Sequence, residues 1–222
     1  MQDLIEHEKF EMEVLERLYN AKILSKLIFV GGTMLRLCYG LDRYSIDLDF
    51  WLKEKKDENE VFNRIRKVID DNYIAKDVFN KHFTMLFEFK SKDYPRGLKI
   101  EIRKEVKKIK PVKAIAYTTN SNIQLIVNVI SLEDMMVEKI KAFLNRAEIR
   151  DVYDIEFLIR RGVKLNLDKN KAQKIKDKIL NLKTNDYKVK LASLLPADKR
   201  GYYNKSNFRI LLFELERIIN TI

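Results

Sequence analysis

The sequence predicts a mixed α/β fold, with a sheet-forming part over residues 1–130 and a helical part over residues 131–222. Three observations carry the prediction. Leu27-Ile28-Phe29-Val30 is an apolar run of the length and composition of a buried strand, and Gly31-Gly32 break it. Between about residues 73 and 129, short segments alternate apolar and polar residues, as half-buried strands do. From Ser131 onward the apolar positions recur at helical spacing instead.

In chain order, Gln2 to about Ser25 has helical periodicity, with Leu4, Ile5, Met12, Leu15, Leu18 and Leu24 along one side. This helix is expected beneath the sheet or behind the turn that follows it, with His7, among acidic residues, at the surface. After the Leu27–Val30 strand, Thr33 opens a short apolar helix, and Ile46–Leu52 forms a second strand. Asp57 to Asp70 reads as a helix on Val61, Ile65, Val68 and Ile69. Strands are expected at Tyr73–Phe79, His82–Phe89, Leu98–Arg103, Val112–Tyr117 and Ile123–Val129, with a turn at Asn120-Ser121-Asn122. His82 is read as a strand residue pairing with a neighbour.

Ser131, with Asp134 three residues on, resembles a capping box at the head of a helix carrying Met135, Met136, Ile140 and Phe143. A second helix runs from Arg150 to Arg160 and ends at Gly162. Asp151 and Asp154 are placed in its first turn, where negative charge complements the helix dipole. Lysine-bearing helices follow from about Leu165, and Ile210–Ile219 is an apolar final helix. Tyr202, Tyr203 and Phe208 lie beside Lys199, Arg200 and Arg209 and could stack on exposed bases, although core packing suits Phe208 better.

Composition narrows the function classes. With 46% hydrophobic and 35% charged residues among 222, the chain is globular rather than disordered. A single cysteine, Cys38, excludes an intrachain disulfide and fits a reducing cytoplasm, and its apolar setting reads as a buried small hydrophobe. No run approaches the roughly 18 apolar residues of a membrane span. A cytoplasmic protein without a membrane partner is expected. The net charge of +11 favours a polyanionic partner such as nucleic acid, although lysine-rich surfaces also serve solubility.

The chemistry concentrates between Leu27 and Leu52. Alternation along Ile46–Leu52 puts Asp47 and Asp49 on one face and Ile46, Leu48 and Phe50 on the other. Gly31 and Gly32 let a phosphate approach the backbone, and the amides that follow, with Thr33, can donate to its oxygens. Two carboxylates on one face can hold Mg²⁺ or Mn²⁺ shared with substrate phosphates. Either half alone is commonly a plain turn or a solvated strand edge, whereas the pair points to nucleotidyl or phosphoryl transfer. On Leu98–Arg103, Glu101 shares a face with Lys99. It is a third metal carboxylate if this strand lies beside Asp47 and Asp49, and an exposed Lys–Glu stripe otherwise.

GGTMLRLCYGLDRYSIDLDF resembles the AbiEii/AbiGii group of nucleotidyltransferase toxins, within the polymerase-beta-like nucleotidyltransferase superfamily. MVEKIKAFLNRAEIRDVYD extends the likeness through Lys139 and Ala142 and the R-D-x-x-D motif at Arg150, Asp151 and Asp154. The likeness spans about residues 27 to 162, and Thr33 stands where many relatives have serine. It implies a polymerase-beta-like mixed sheet with flanking helices and an α-helical C-terminal half that completes the active site. It also implies an enzyme moving an NMP from an NTP to an acceptor hydroxyl, with RNA, the tRNA 3′ end in particular, as acceptor. A cognate antitoxin and growth arrest go with that reading. The implied roles are Asp47, Asp49 and Glu101 on metal, Gly31, Gly32, Thr33, Arg43 and Lys139 on nucleotide, and Asp151 as base or orienter.

Three other readings stand beside it. They are a transferase placing AMP on a partner protein, a non-catalytic RNA-binding module of the same fold, and a haloacid-dehalogenase-type phosphatase. Trp51 occupies the position where the last expects Thr or Val, which counts against it.

Overall fold

The computed structural model describes residues 2–221, with the side chains of residues 204–206 left out, and divides into two compact units, residues 1–131 and 132–222. In the first unit the order is α1 (Gln2–Asn20), β1 (Leu27–Val30), α2 (Gly31–Tyr39), β2 (Asp47–Leu52) and α3 (Glu58–Asn72). The strands β3 (Ile74–Asn80), β4 (Thr84–Lys90), β5 (Leu98–Arg103), β6 (Val112–Tyr117) and β7 (Gln124–Val129) follow. They form one seven-stranded sheet in the order β3-β4-β5-β2-β1-β7-β6. The β2–β5 and β1–β7 pairs are parallel and the rest antiparallel, so the sheet is mixed.

Period-two alternation decides which face of the sheet is packed. Met85, Phe87 and Phe89 of β4, Leu98, Ile100 and Ile102 of β5, and Leu48, Phe50 and Leu52 of β2 are buried. Phe10 of α1 meets Phe89 edge-on at 5.8 Å between ring centres, and Phe62 of α3 meets Phe87 at 5.2 Å. The helices therefore cover that face, and the side chains of Asp47, Asp49, Lys99 and Glu101 alternate to the other. Burial of aromatic and branched side chains, each worth about 1.5–3 kcal/mol, holds the β2–β5 pairing in one register.

Several expected boundaries move for local reasons. The first helix stops at Asn20, and Leu24–Lys26 forms a separate 3-10 turn after Lys22 takes positive φ. The second helix begins at Gly31 rather than Thr33, and Lys55–Asp57 makes a 3-10 turn before α3. His7 is not at the surface: it is 2% exposed. His82 precedes β4 and packs edge-on against Phe83. Cys38 is half-buried, and burial pushes its thiol up to about 12, so it is no nucleophile. No helix among the described residues is long and apolar enough to cross a membrane.

The second unit is helical: α4 (Leu132–Arg146), α5 (Ile149–Arg160), α6 (Lys169–Leu180), a π turn at Asp186–Leu191, α7 (Ala197–Ser206) and α8 (Arg209–Asn220). Val152, Ile155, Leu158, Ile175, Ile179, Leu211 and Leu215 form its core. Asp168 caps α6 by accepting from the Lys171 amide, and Ala172, Ile175 and Ile179 turn inward, leaving most of its lysines in solvent. Tyr203 is 5% exposed and packs on Tyr153 and Phe208, so neither it nor Phe208 is a base-stacking platform; Tyr202, 48% exposed, remains outside.

Candidate functional site

Gly31 takes φ +83°, which L side chains adopt only with strain. A Cβ there would lie 2.5 Å from Asp49 Oδ2, and one on Gly32 would lie 2.5 Å from an Arg43 guanidinium nitrogen and 2.7 Å from Ser45 Oγ. The two glycines thus make room for the site's own side chains, with Asp49 drawn against the turn. Val30 provides no side-chain cap to the first turn of α2.

Thr33 is fully buried, and its hydroxyl donates to the Asp47 carbonyl at 2.6 Å, tying α2 to the start of β2. Arg43 is 2% exposed, lies against Gly32 and donates to the Tyr44 carbonyl at 2.9 Å. Both side chains therefore brace the turn from within.

β5 pairs in register with β2, the arrangement on which the assignment of Glu101 depends. In the parallel β2–β5 pair, Asp47 stands opposite Lys99 and Asp49 opposite Glu101. Lys99 Nζ lies 3.2 Å from Asp47 Oδ2, an ion pair that the sequence pattern did not reveal. Glu101 lies 4.0 Å from Arg103 Nε. Among the described residues no three acidic, histidine or cysteine side chains close on one point. The donor set still suits Mg²⁺, which commonly takes one or two carboxylates and completes its shell with water and substrate phosphates. Asp47 and Asp49 would supply that pair, with Glu101 alongside.

Beneath this pair, α1 presents polar side chains at buried positions. His7 Nε2 donates to the Ile46 carbonyl at 3.0 Å and lies 3.6 Å from Glu11 Oε1. Glu11 Oε1 is also 3.4 Å from Thr33 Oγ1. Burial, and then the Glu8 charge, push the Glu11 carboxyl well above the ordinary range, while burial pushes the His7 imidazole down. Glu8 is held by Arg36, Thr118 and Asn120. Sequence reading missed this brace. Its signal was that residues 4, 8, 11, 15 and 18 share one helical stripe, so two acids sat in the buried phase.

A cleft of about 320 Å³ opens beside Asp47, lined by His7, Ile46, Glu88, Arg96, Gly97, Leu98 and Lys99.

In the second unit, Lys139 is buried and its ammonium lies 2.6 Å from Asp154 Oδ2 and 3.5 Å from Asp151 Oδ1. Arg146 grips both oxygens of Asp151 at 2.7 Å. Asp151 and Asp154 are fully buried. Asp151 lies in the first turn of α5, as expected, and pairs with Arg146 and Lys139, whereas Asp154 lies one turn further on and pairs with Lys139. Buried charges persist only when paired in this way. The double hydrogen bond from Arg146 suits Asp151 to orienting Lys139 better than to accepting a proton.

A family model described as "Nucleotidyl transferase AbiEii toxin, Type IV TA system" matches residues 13–212. Among solved structures, JHP933 from Helicobacter pylori is 20% identical over 98% of this chain and 95% of its own, with a TM-score of 0.58. A putative nucleotidyltransferase from H. pylori gives 20% identity, 98% of each chain and 0.58. MenT4, a nucleotidyltransferase toxin from Mycobacterium tuberculosis H37Rv, gives 14% identity over 95% of this chain and 82% of its own, with 0.63. At these identities the structural likeness bears on the fold alone. No curated protein matches the chain.

Proposed function

The chain belongs to the AbiEii nucleotidyltransferase toxin family, and from that premise we propose that it transfers an NMP from an NTP to a hydroxyl of RNA, at the tRNA 3′ end. The observation that supports this reading best is the Asp49 carboxylate held against the Gly31 turn, with Glu101 in register beside it.

Backbone amides at the start of α2 bind the nucleotide's phosphates. Asp47 and Asp49, kept in position by Thr33 and the sheet register, face the reacting phosphate. Mg²⁺ held by this pair would neutralise charge on the phosphate oxygens. Glu101, in register beside Asp49, would accept the proton of the attacking hydroxyl and could also serve as an oxygen ligand to that ion. The acceptor oxygen bonds to the α-phosphorus as the bond to the β-phosphate oxygen breaks, and pyrophosphate leaves. Lys139, paired with Asp154 and Asp151 in the second unit, is assigned to neutralising phosphate charge by its match to the family motif alone. A cytoplasmic setting and a cognate antitoxin belong to the same proposal.

The test is transfer of label from each α-labelled NTP, with Mg²⁺, to total RNA and to total protein. Label on RNA supports the reading. Label on protein selects transfer of AMP to a partner protein, and RNA bound with no label selects a non-catalytic module.

A further inference from the structure

The two carboxylates of β2 divide their surroundings. Asp49 leans on the Gly31 turn, whereas Asp47 pairs with Lys99 and borders the cleft on the β5 side. No residue lining that cleft belongs to the Gly31–Thr33 turn or to α2. If the nucleotide's phosphates take the α2 amides, the cleft serves something else that must reach the same reacting centre.

Its charges say what. Of the two acids lining it, Glu88 has Lys76 at 3.1 Å and Asp47 has Lys99 at 3.2 Å. His7 stands at the back with its Nε2 hydrogen committed to Ile46. Arg96 is exposed and forms no hydrogen bond or ion pair with the described residues, so the cleft carries one uncommitted cation. Arg96 is not at a loop tip. A Cβ on its neighbour Gly97 would lie 3.0 Å from the Phe89 carbonyl, so glycine lets the chain return tightly to β4, and Leu98 then pairs with Phe89. The backbone of Arg96 is thereby fixed at the mouth of β5. A planar guanidinium matches the oxygens of a phosphodiester, and an anion there would also draw Lys99 from Asp47. At about 320 Å³ the cleft is at the small end for ligand sites, enough for one backbone phosphate and its sugar.

We propose that this cleft is the subsite for a backbone phosphate of the RNA acceptor strand, with Arg96 and Lys99 as its phosphate-binding pair. The assignment rests on the RNA-acceptor reading above.

The test uses the full-length protein, a fluorescently labelled single-stranded RNA dodecamer and a fluorescent ATP analogue, each followed by anisotropy across a salt series. Arg96→Ala should weaken dodecamer binding by on the order of tenfold and shrink the log Kd against log salt slope by about 0.7, one contact's share for single strands. Lys99→Met should do likewise. Lys67→Ala removes one positive charge from α3, where Lys67 pairs with Asp71, and should leave the slope unchanged. Binding of the ATP analogue should stay within about twofold in Arg96→Ala and Lys67→Ala, as a phosphate contact made only by RNA requires.

An unchanged dodecamer slope in Arg96→Ala would overturn the subsite. So would weakened binding of the ATP analogue with RNA binding intact, because the phosphate would then be the nucleotide's. Wild-type label transfer, run in parallel, separates the two claims. Label on RNA with Arg96→Ala indistinguishable from wild type sinks the subsite and leaves the proposed function standing. Label on protein alone sinks the proposed function, and the acceptor assignment with it, whatever the binding slopes.

Discussion

Gly31→Ala puts a methyl group where the Asp49 carboxylate lies. The new Cβ would be 2.5 Å from Asp49 Oδ2, against an ordinary contact of 3.4 Å or more, so the carboxylate must retreat by about 0.9 Å. The backbone at φ +83° adds strain of about 1–2 kcal/mol, expected as a fall in Tm of roughly 3–6 °C for a chain of this size. Displacing a reacting group by about 1 Å costs on the order of 100-fold in rate. The natural control is Gly162→Ala. It has φ +84° and nothing within 4 Å of the added Cβ, so it carries the same backbone strain without the clash. Thermal melts and single-turnover label transfer on both variants separate the effects. Gly162→Ala should show the strain loss alone, Gly31→Ala at least as large a loss, and only Gly31→Ala should lose transfer. Transfer by Gly31→Ala within threefold of Gly162→Ala would refute the idea that this glycine exists to seat Asp49.

Other consequences follow from the buried charges. Glu11 has a folded-state pKa raised by burial well above its ordinary 4.5, so its stabilisation is complete below that value and is lost as pH rises through the folded pKa. Glu11→Gln should therefore match wild type near pH 4.5 and gain on it in urea melts as pH rises; a constant difference across pH would contradict this. Asp154→Ala leaves the Lys139 ammonium short of its 2.6 Å partner in a buried setting and should cost about 3–5 kcal/mol, whereas Lys139→Met combined with Asp154→Leu should restore much of it. Chemical denaturation of the single and double variants measures this, and additive losses would show that the pair is not coupled. Tyr203→Ala should lower stability by about 3 kcal/mol, through its packing on Tyr153 and Phe208, while Tyr202→Ala stays within about 0.5 kcal/mol.

Much of the first unit was legible because local patterns and tertiary needs agree there. The strands at Leu98–Arg103 and Val112–Tyr117 have the bounds their alternation predicts. Glu101 shows where legibility stops: alternation gives its face, but its place beside Asp49 depends on β2 skipping β3 and β4 to pair with β5. That pairing is a property of the packed sheet, not of a window of sequence. His7 was misread because its acidic neighbours suggest solvent, whereas the Ile46 carbonyl and Glu11 take it inside. The glycines were legible as a turn but not as a seat for Asp49 and Arg43, since the filling side chains come from later in the chain. Asp151 and Asp154 were legible as charges near a helix start but not as buried counter-ions, because Lys139 and Arg146 sit on the preceding helix. The resemblance in motif marked those residues, and the structure gives their physical connection.

The most direct measurement is single-turnover label transfer to RNA by wild type and by Asp49→Asn and Asp47→Asn, each first checked for an unchanged melt. The substitutions keep shape and remove the carboxylate charge. If the pair beside the Gly31 turn carries the chemistry, both variants lose transfer by at least about a thousandfold, on the scale of removing an essential charged group. Transfer at the wild-type rate by either variant would mean that the reacting centre lies elsewhere.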